Sequence, residues 1–209
     1  MSEVDVLANA LVEQFSNVTL KDDYGWPCPA LNVLDCVLSL HRLYYSFVIP
    51  RMNGFAKRHP KVIELKDLQK LIESYDSPAL FSIHELDYND APRAQILYAI
   101  VQYLITIQRK YEGSTEQERL QRWAISVSPD DSASVGVKGF GLSGFQYMRM
   151  LFGAQTTKPD VHIKGFVSEV TGRAVSDRKA LELLEQAAKI AHLPLRNIDS
   201  EIWKERAHT

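Results

Sequence analysis

Apolar side chains recur every three to four positions along almost the whole chain, the spacing of one face of an α-helix, and strand-like alternation is scarce. Val4, Leu7, Leu11 and Phe15 make a first stripe and predict a helix over about residues 3–16. Gly25, Pro27 and Pro29 mark residues 21–32 as a loop. Asn32 is then expected to cap a helix from about Val33 to Phe47, stopped near Pro50. After a basic link at 57–61, a shorter helix is expected over 66–75. The longest is expected to follow from Asp90, its cap, to Tyr111, with Pro92 in the first turn. Ile96, Ala99, Ile100, Tyr103, Leu104 and Ile107 form its predicted buried face. Further helices are expected over 116–125, 142–153, 161–171, 177–191 and 197–206, with a polar stretch at 128–134. The pattern predicts a single all-α domain over 1–209, of roughly nine or ten helices and with no internal repeat.

Composition adds exclusions. The chain has 209 residues, 45% hydrophobic and 24% charged, which is ordinary globular usage. Its apolar runs fall short of the ~20 residues that span a bilayer, and acids interrupt the N-terminal pattern, so neither a membrane partner nor a secretory leader is expected. A cytoplasmic location is the expectation, associated with the nucleoid if the source is bacterial. Two cysteines, Cys28 and Cys36, cannot build a four-thiolate cluster, and six scattered histidines give no zinc spacing. The net charge of −2 hides two basic blocks: residues 30–70 carry seven bases and three acids, and residues 135–175 five and two. They are either solvated faces or halves of one basic surface.

The most informative stretch is Val135–Gly153, where Gly139 and Gly141 flank Phe140 and an apolar helix pattern follows at once. Such a bend is either plain structural punctuation or a phosphate grip, because it presents helix N-terminal amides to an anion without reading a base. Asp160, after Lys158 and Pro159, is placed to cap the helix that starts at Val161.

Together, Val137-Lys138-Gly139-Phe140-Gly141 and Pro159-Asp160-Val161-His162-Ile163 resemble the two signature elements of the helix-hairpin-helix superfamily of base-excision DNA glycosylases, the endonuclease III and 8-oxoguanine glycosylase relatives. The resemblance spans about residues 33–172, with terminal helices expected to pack onto that region. It implies a double-stranded DNA partner, probed for a damaged or mispaired base, and makes Asp160 the catalytic carboxylate. In that role it would stabilise positive charge on the sugar and orient or deprotonate the attacking water. The family's Schiff-base lysine falls at Ser143, which cannot form that adduct, so the resemblance implies base release without strand cleavage.

Lys138, Gly139, Phe140, Gly141 and Ser143 would then form the strand grip, with Lys158 and Lys164 as further phosphate contacts. His41 stands near the family's intercalating residue, and Tyr44 and Tyr45 could stack on a base or belong to the core. His162 is expected to support helix packing. No cofactor is expected: the four-cysteine iron–sulfur motif is missing, though a monovalent cation could sit at the hairpin. Lys138 in place of the usual hairpin proline and Gly165 in place of a basic residue depart from the family pattern. A catalytically silent helix-hairpin-helix DNA-binding protein is the alternative the same motifs allow.

Overall fold

Several helices in this chain begin where short polar side chains take up amides that an α-helix leaves unpaired. Ser2 and Asp5 form a reciprocal cap on the first, and Asp90, Thr115, Asp160 and Ser176 accept backbone N–H bonds at the starts of four more. The structure is a computed structural model that describes residues 1–21 and 24–207. Residues 22 and 23, inside the expected 21–32 loop, and the last two of the expected 1–209 domain lie outside the described residues.

Among the described residues there are eleven α-helices and no strands. They are α1 (Glu3–Phe15), α2 (Pro29–Leu38), α3 (Ile49–Arg58), α4 (Leu65–Glu73), α5 (Pro78–Leu86), α6 (Ala91–Ile107), α7 (Glu116–Ser126), α8 (Leu142–Leu151), α9 (Val161–Thr171), α10 (Asp177–Ala191) and α11 (Leu195–Ala207). A π-helical turn, Tyr44–Val48, leads into α3, and 3-10 turns cover Gln108–Lys110 and Pro129–Val135. The fold is all-α as the apolar spacing predicts, with slightly more helices than nine or ten.

The differences have local causes. Pro29 opens α2 instead of lying in a loop, because a first-turn proline loses no intrahelical bond. Asn32 is therefore inside the helix, where its Oδ1 accepts the Trp26 N–H at 2.7 Å and braces the preceding loop. The expected 33–47 helix ends at Leu38, and Pro50 sits in the first turn of α3 instead of stopping a helix. Lys57 and Arg58 belong to the last turn of α3, not to a link. Helix α5, absent from the sequence pattern, starts at Ser77-Pro78, a cap followed by a first-turn proline. The buried face of α6 is rotated from the expected one: Ala94, Leu97, Ile100, Val101, Leu104 and Ile105 are buried, and Ile96, Ala99, Tyr103 and Ile107 are only partly covered.

Two hydrophobic cores result. Helices α2–α8 enclose the larger, around Trp123, whose ring meets the edges of Phe145 and Phe152 at 6.0 and 6.3 Å. Helix α1 packs with α9, α10 and α11 around the smaller, which holds Leu7, Leu11, Phe166, Leu184 and Ile198. The chain leaves the smaller core after α1 and returns to it through residues 152–160. Side-chain bonds pin that return segment to both cores. Gln146 of α8 donates to Thr156, Thr156 donates to Glu185 of α10, and Thr157 donates to Asp199 of α11.

Candidate functional site at the cleft between two cores

A cleft of about 920 Å³ lies where the two cores meet, lined from α2, the 39–45 segment, the 139–144 bend, the 158–162 segment and α11. Asp160 is on its wall. The residue is half-buried with extended backbone, and its Oδ1 accepts the N–H groups of His162 at 2.9 Å and Ile163 at 3.2 Å. The cap role leaves the carboxylate at the helix end, facing the same space as the bend.

At that bend Gly139 has φ +88°, a conformation that requires glycine, while an added Cβ would meet only the movable Ile96 side chain, its Cδ1 at 2.9 Å. Gly141 is different. It takes an ordinary extended φ of −94°, and a Cβ there would touch nothing, so the room over the start of α8 is open. No side chain caps α8, and its first amides are left for an outside acceptor. Carbonyls of Val137 and Gly141 accept the N–H groups of Phe140 and Phe145. Each carbonyl keeps a second lone pair, so a monovalent cation fits the chemistry of these oxygens.

Most sequence-selected residues converge here, with two exceptions. His41, Gly139, Gly141, Ser143, Lys158, Asp160 and Lys164 all line the cleft. Lys138 is exposed on the bend but outside the cleft lining. Phe140 is 4% exposed, its ring packed in the larger core, so its side chain belongs to the core and not to the grip expected from the sequence. Of the lysines, Lys158 holds its Nζ 4.3 Å from the Tyr147 ring centroid, and Lys164 pairs with Asp177 at 2.8 Å. Gly165, where the family pattern has a basic residue, is approached by the Arg206 guanidinium, to within 3.2 Å of an added Cβ. Tyr44 and Tyr45 face the cleft beside Trp203, with ring centroids 5.6–5.8 Å apart, and the His162 ring is 6.3 Å from Trp203.

The chain belongs to the family described as a domain of unknown function, DUF8548, whose family model matches residues 5–207. No curated protein and no solved structure matches it. The family match takes in both cores and the cleft between them.

Three features of the site have little sequence signal. Asp35, on the floor, accepts from Trp26 Nε1 and Tyr44 OH on one oxygen, at 2.7 and 2.8 Å. Its other oxygen accepts from Ser39 Oγ and Tyr147 OH at 2.7 and 3.1 Å. Burial, with the Asp35 charge adding to it, lifts the phenol pKa values of Tyr44 and Tyr147 well above the usual range, so both stay protonated donors. A lone acid in the apolar run of α2 is the one hint the sequence offers. Asp199 comes from α11, about forty residues beyond Asp160, and lines the same cleft. Burial lifts its carboxyl to about 7, opposed by hydrogen bonds from Thr157 and Lys158 and reinforced by the Asp160 charge. Leu43 is 76% exposed on the rim, next to His41, whose backbone has φ +55°.

A smaller hollow of about 460 Å³ between the end of α1 and α11 contains none of the sequence-selected residues. Among the described residues no group of three or more His, Cys, Asp or Glu could hold a metal ion, and no helix is long and apolar enough to cross a membrane.

Proposed function

We propose that this protein is a monofunctional, DNA glycosylase-like base-excision protein that hydrolyses the N-glycosidic bond of a damaged or mispaired base flipped out of duplex DNA. One observation carries the reading: the Asp160 carboxylate and the open Gly139–Gly141 bend line one cleft large enough for a nucleotide. The bend offers amides to a phosphate of the lesion strand. The flipped nucleotide then enters beside Asp160, with Tyr44, Tyr45 and Trp203 offering ring faces to the base. Breaking the C1′–N bond builds positive charge on the sugar, and an ionised Asp160 stabilises it while water adds to C1′.

Other features support this docking. Leu43 is an exposed apolar wedge of the kind that enters a base step, and His41 next to it is held in a left-handed conformation on the same rim. Arg42 from one basic block and Lys158 and Lys164 from the other line one cleft. Ser143 at the bend has no amine, so the reaction ends at an abasic site.

The test is base release over duplexes carrying different damaged or mispaired bases, with strand cleavage read before and after alkali. Wild type should release one class of base and leave the strand intact until alkali is added, and Asp160→Asn should be inactive with its fold retained. Equal release by the mutant rejects the mechanism. Salt-sensitive duplex binding without release of any base identifies the catalytically silent binding protein instead.

A further inference from the structure

Four carboxylates line the cleft, and their partners give them different chemistry. Asp35 has both oxygens occupied by four donors, so neither is left to face a ligand. Asp160 is half-buried and accepts two helix amides, both on Oδ1, which leaves Oδ2 to the cleft. Asp199 is 6% exposed, and its two hydrogen bonds, from Thr157 Oγ1 and the Lys158 N–H, both fall on Oδ2, leaving Oδ1 to carry a proton. Asp177, a fourth acid on the lining, is paired with Lys164.

We infer that Asp199 is the acid that protonates the departing base in this cleft, and that the substrate is therefore a neutral base, not one whose ring already carries a positive charge. The inference rests on the base-excision reading and deepens it. Two acids in one site whose surroundings separate their ionisation divide the acid and anion roles between them. Asp160, at the helix end beside the bend, faces the sugar. Asp199, whose Oδ1 accepts no hydrogen bond among the described residues and whose pKa of about 7 keeps a proton available near neutrality, serves the base. The proton passes from Asp199 Oδ1 to a ring nitrogen, the C1′–N bond breaks, and its electron pair leaves with the base. Water oxygen then bonds to C1′, and the proton it sheds returns to Asp199. The ionisable groups that act on Asp199 are Lys158 and Asp160 on the segment into α9 and Tyr24 before α2, while Asp35 on α2, Tyr44 on the π turn and Tyr147 on α8 line the same cleft.

The experiment measures single-turnover release from duplexes carrying 8-oxoguanine, hypoxanthine or mispaired adenine as neutral bases, and N7-methylguanine as a ring-cationic one. In Asp199→Asn the amide oxygen still accepts from Thr157 and Lys158, while the proton donor is gone. A positioned acid contributes about 100-fold or more, so the neutral-to-cationic rate ratio should fall by about that factor, because a cationic base leaves without a proton. In wild type, release of the neutral base should decline as pH rises through about 7, and N7-methylguanine release should not; this profile decides the matter if Asp199→Asn fails to fold. Equal losses on both bases, or a flat profile on the neutral one, overturn the acid role and leave base excision standing. Wild-type release of N7-methylguanine alone overturns the substrate class, and release of none of the four overturns both readings.

Discussion

Replacing Asp35 with alanine removes the one acceptor that joins the loop before α2, α2 itself, the π turn and α8. Four donors lose their partner at once: Trp26 Nε1, Ser39 Oγ, Tyr44 OH and Tyr147 OH. A buried donor left unsatisfied costs about 1–3 kcal/mol. At the lower figure the four sum to about 4 kcal/mol, in line with the ~3–5 kcal/mol seen when a buried charge network loses a member. Relief of the carboxylate's own desolvation keeps the loss from going higher. Urea unfolding should show the midpoint falling by that amount with an unchanged slope. Tyr147→Phe should cost about 1 kcal/mol in wild type and close to nothing in the Asp35→Ala background, since the hydroxyl there has already lost its acceptor. A loss under ~1 kcal/mol for Asp35→Ala, or the same Tyr147→Phe cost in both backgrounds, would refute the idea that this carboxylate organises the cleft floor.

Gly139→Ala should destabilise by about 1–3 kcal/mol, from its positive φ. Gly141→Ala should leave thermal stability nearly unchanged and weaken duplex binding; equal melting losses for the two would contradict the distinction. Asp199 has a folded-state pKa of about 7 against an ordinary 3.8, so the folded protein holds this proton longer than the unfolded chain. Its contribution is intact below about pH 4 and lost as pH rises through about 7. Stability of wild type relative to Asp199→Asn should therefore drop by up to about 4 kcal/mol over that range, and a constant difference would show that the carboxyl is not buried as described. Lys158→Gln should lower the slope of log binding constant against log salt by about 1; an unchanged slope would remove Lys158 from the phosphate contacts.

Much of the fold is legible in the residues because local rules and tertiary packing agree. Helices α9 and α10 begin at the expected residues, since Asp160 and Ser176 are strong caps and Gly172 closes α9 in a left-handed conformation. Agreement fails where proline has two readings. Pro29 reads as part of a loop and Pro50 as a helix stop by sequence, yet each sits in the first turn of a helix whose apolar face has a core to enter. Three-to-four spacing along α6 cannot choose between adjacent stripes, and contact with α2, α4 and α5 selects the one containing Leu97 and Val101. In the cleft, the bend and Asp160 are local motifs and could be read directly. Asp199 could not, because its meaning depends on α11 folding back across the segment between α8 and α9.

In the proposed reaction Asp160 faces a sugar ring that becomes cationic, and this can be tested without knowing which base is removed. Duplexes are made with one nucleotide replaced by a pyrrolidine, whose ring is cationic, or by a tetrahydrofuran of the same shape and no charge. Wild-type protein should bind the cationic ring at least about 100-fold more tightly, as a mimic of the charged transition state, and Asp160→Asn should bind the two alike. Equal affinity in wild type, or the same preference retained in Asp160→Asn, would contradict it.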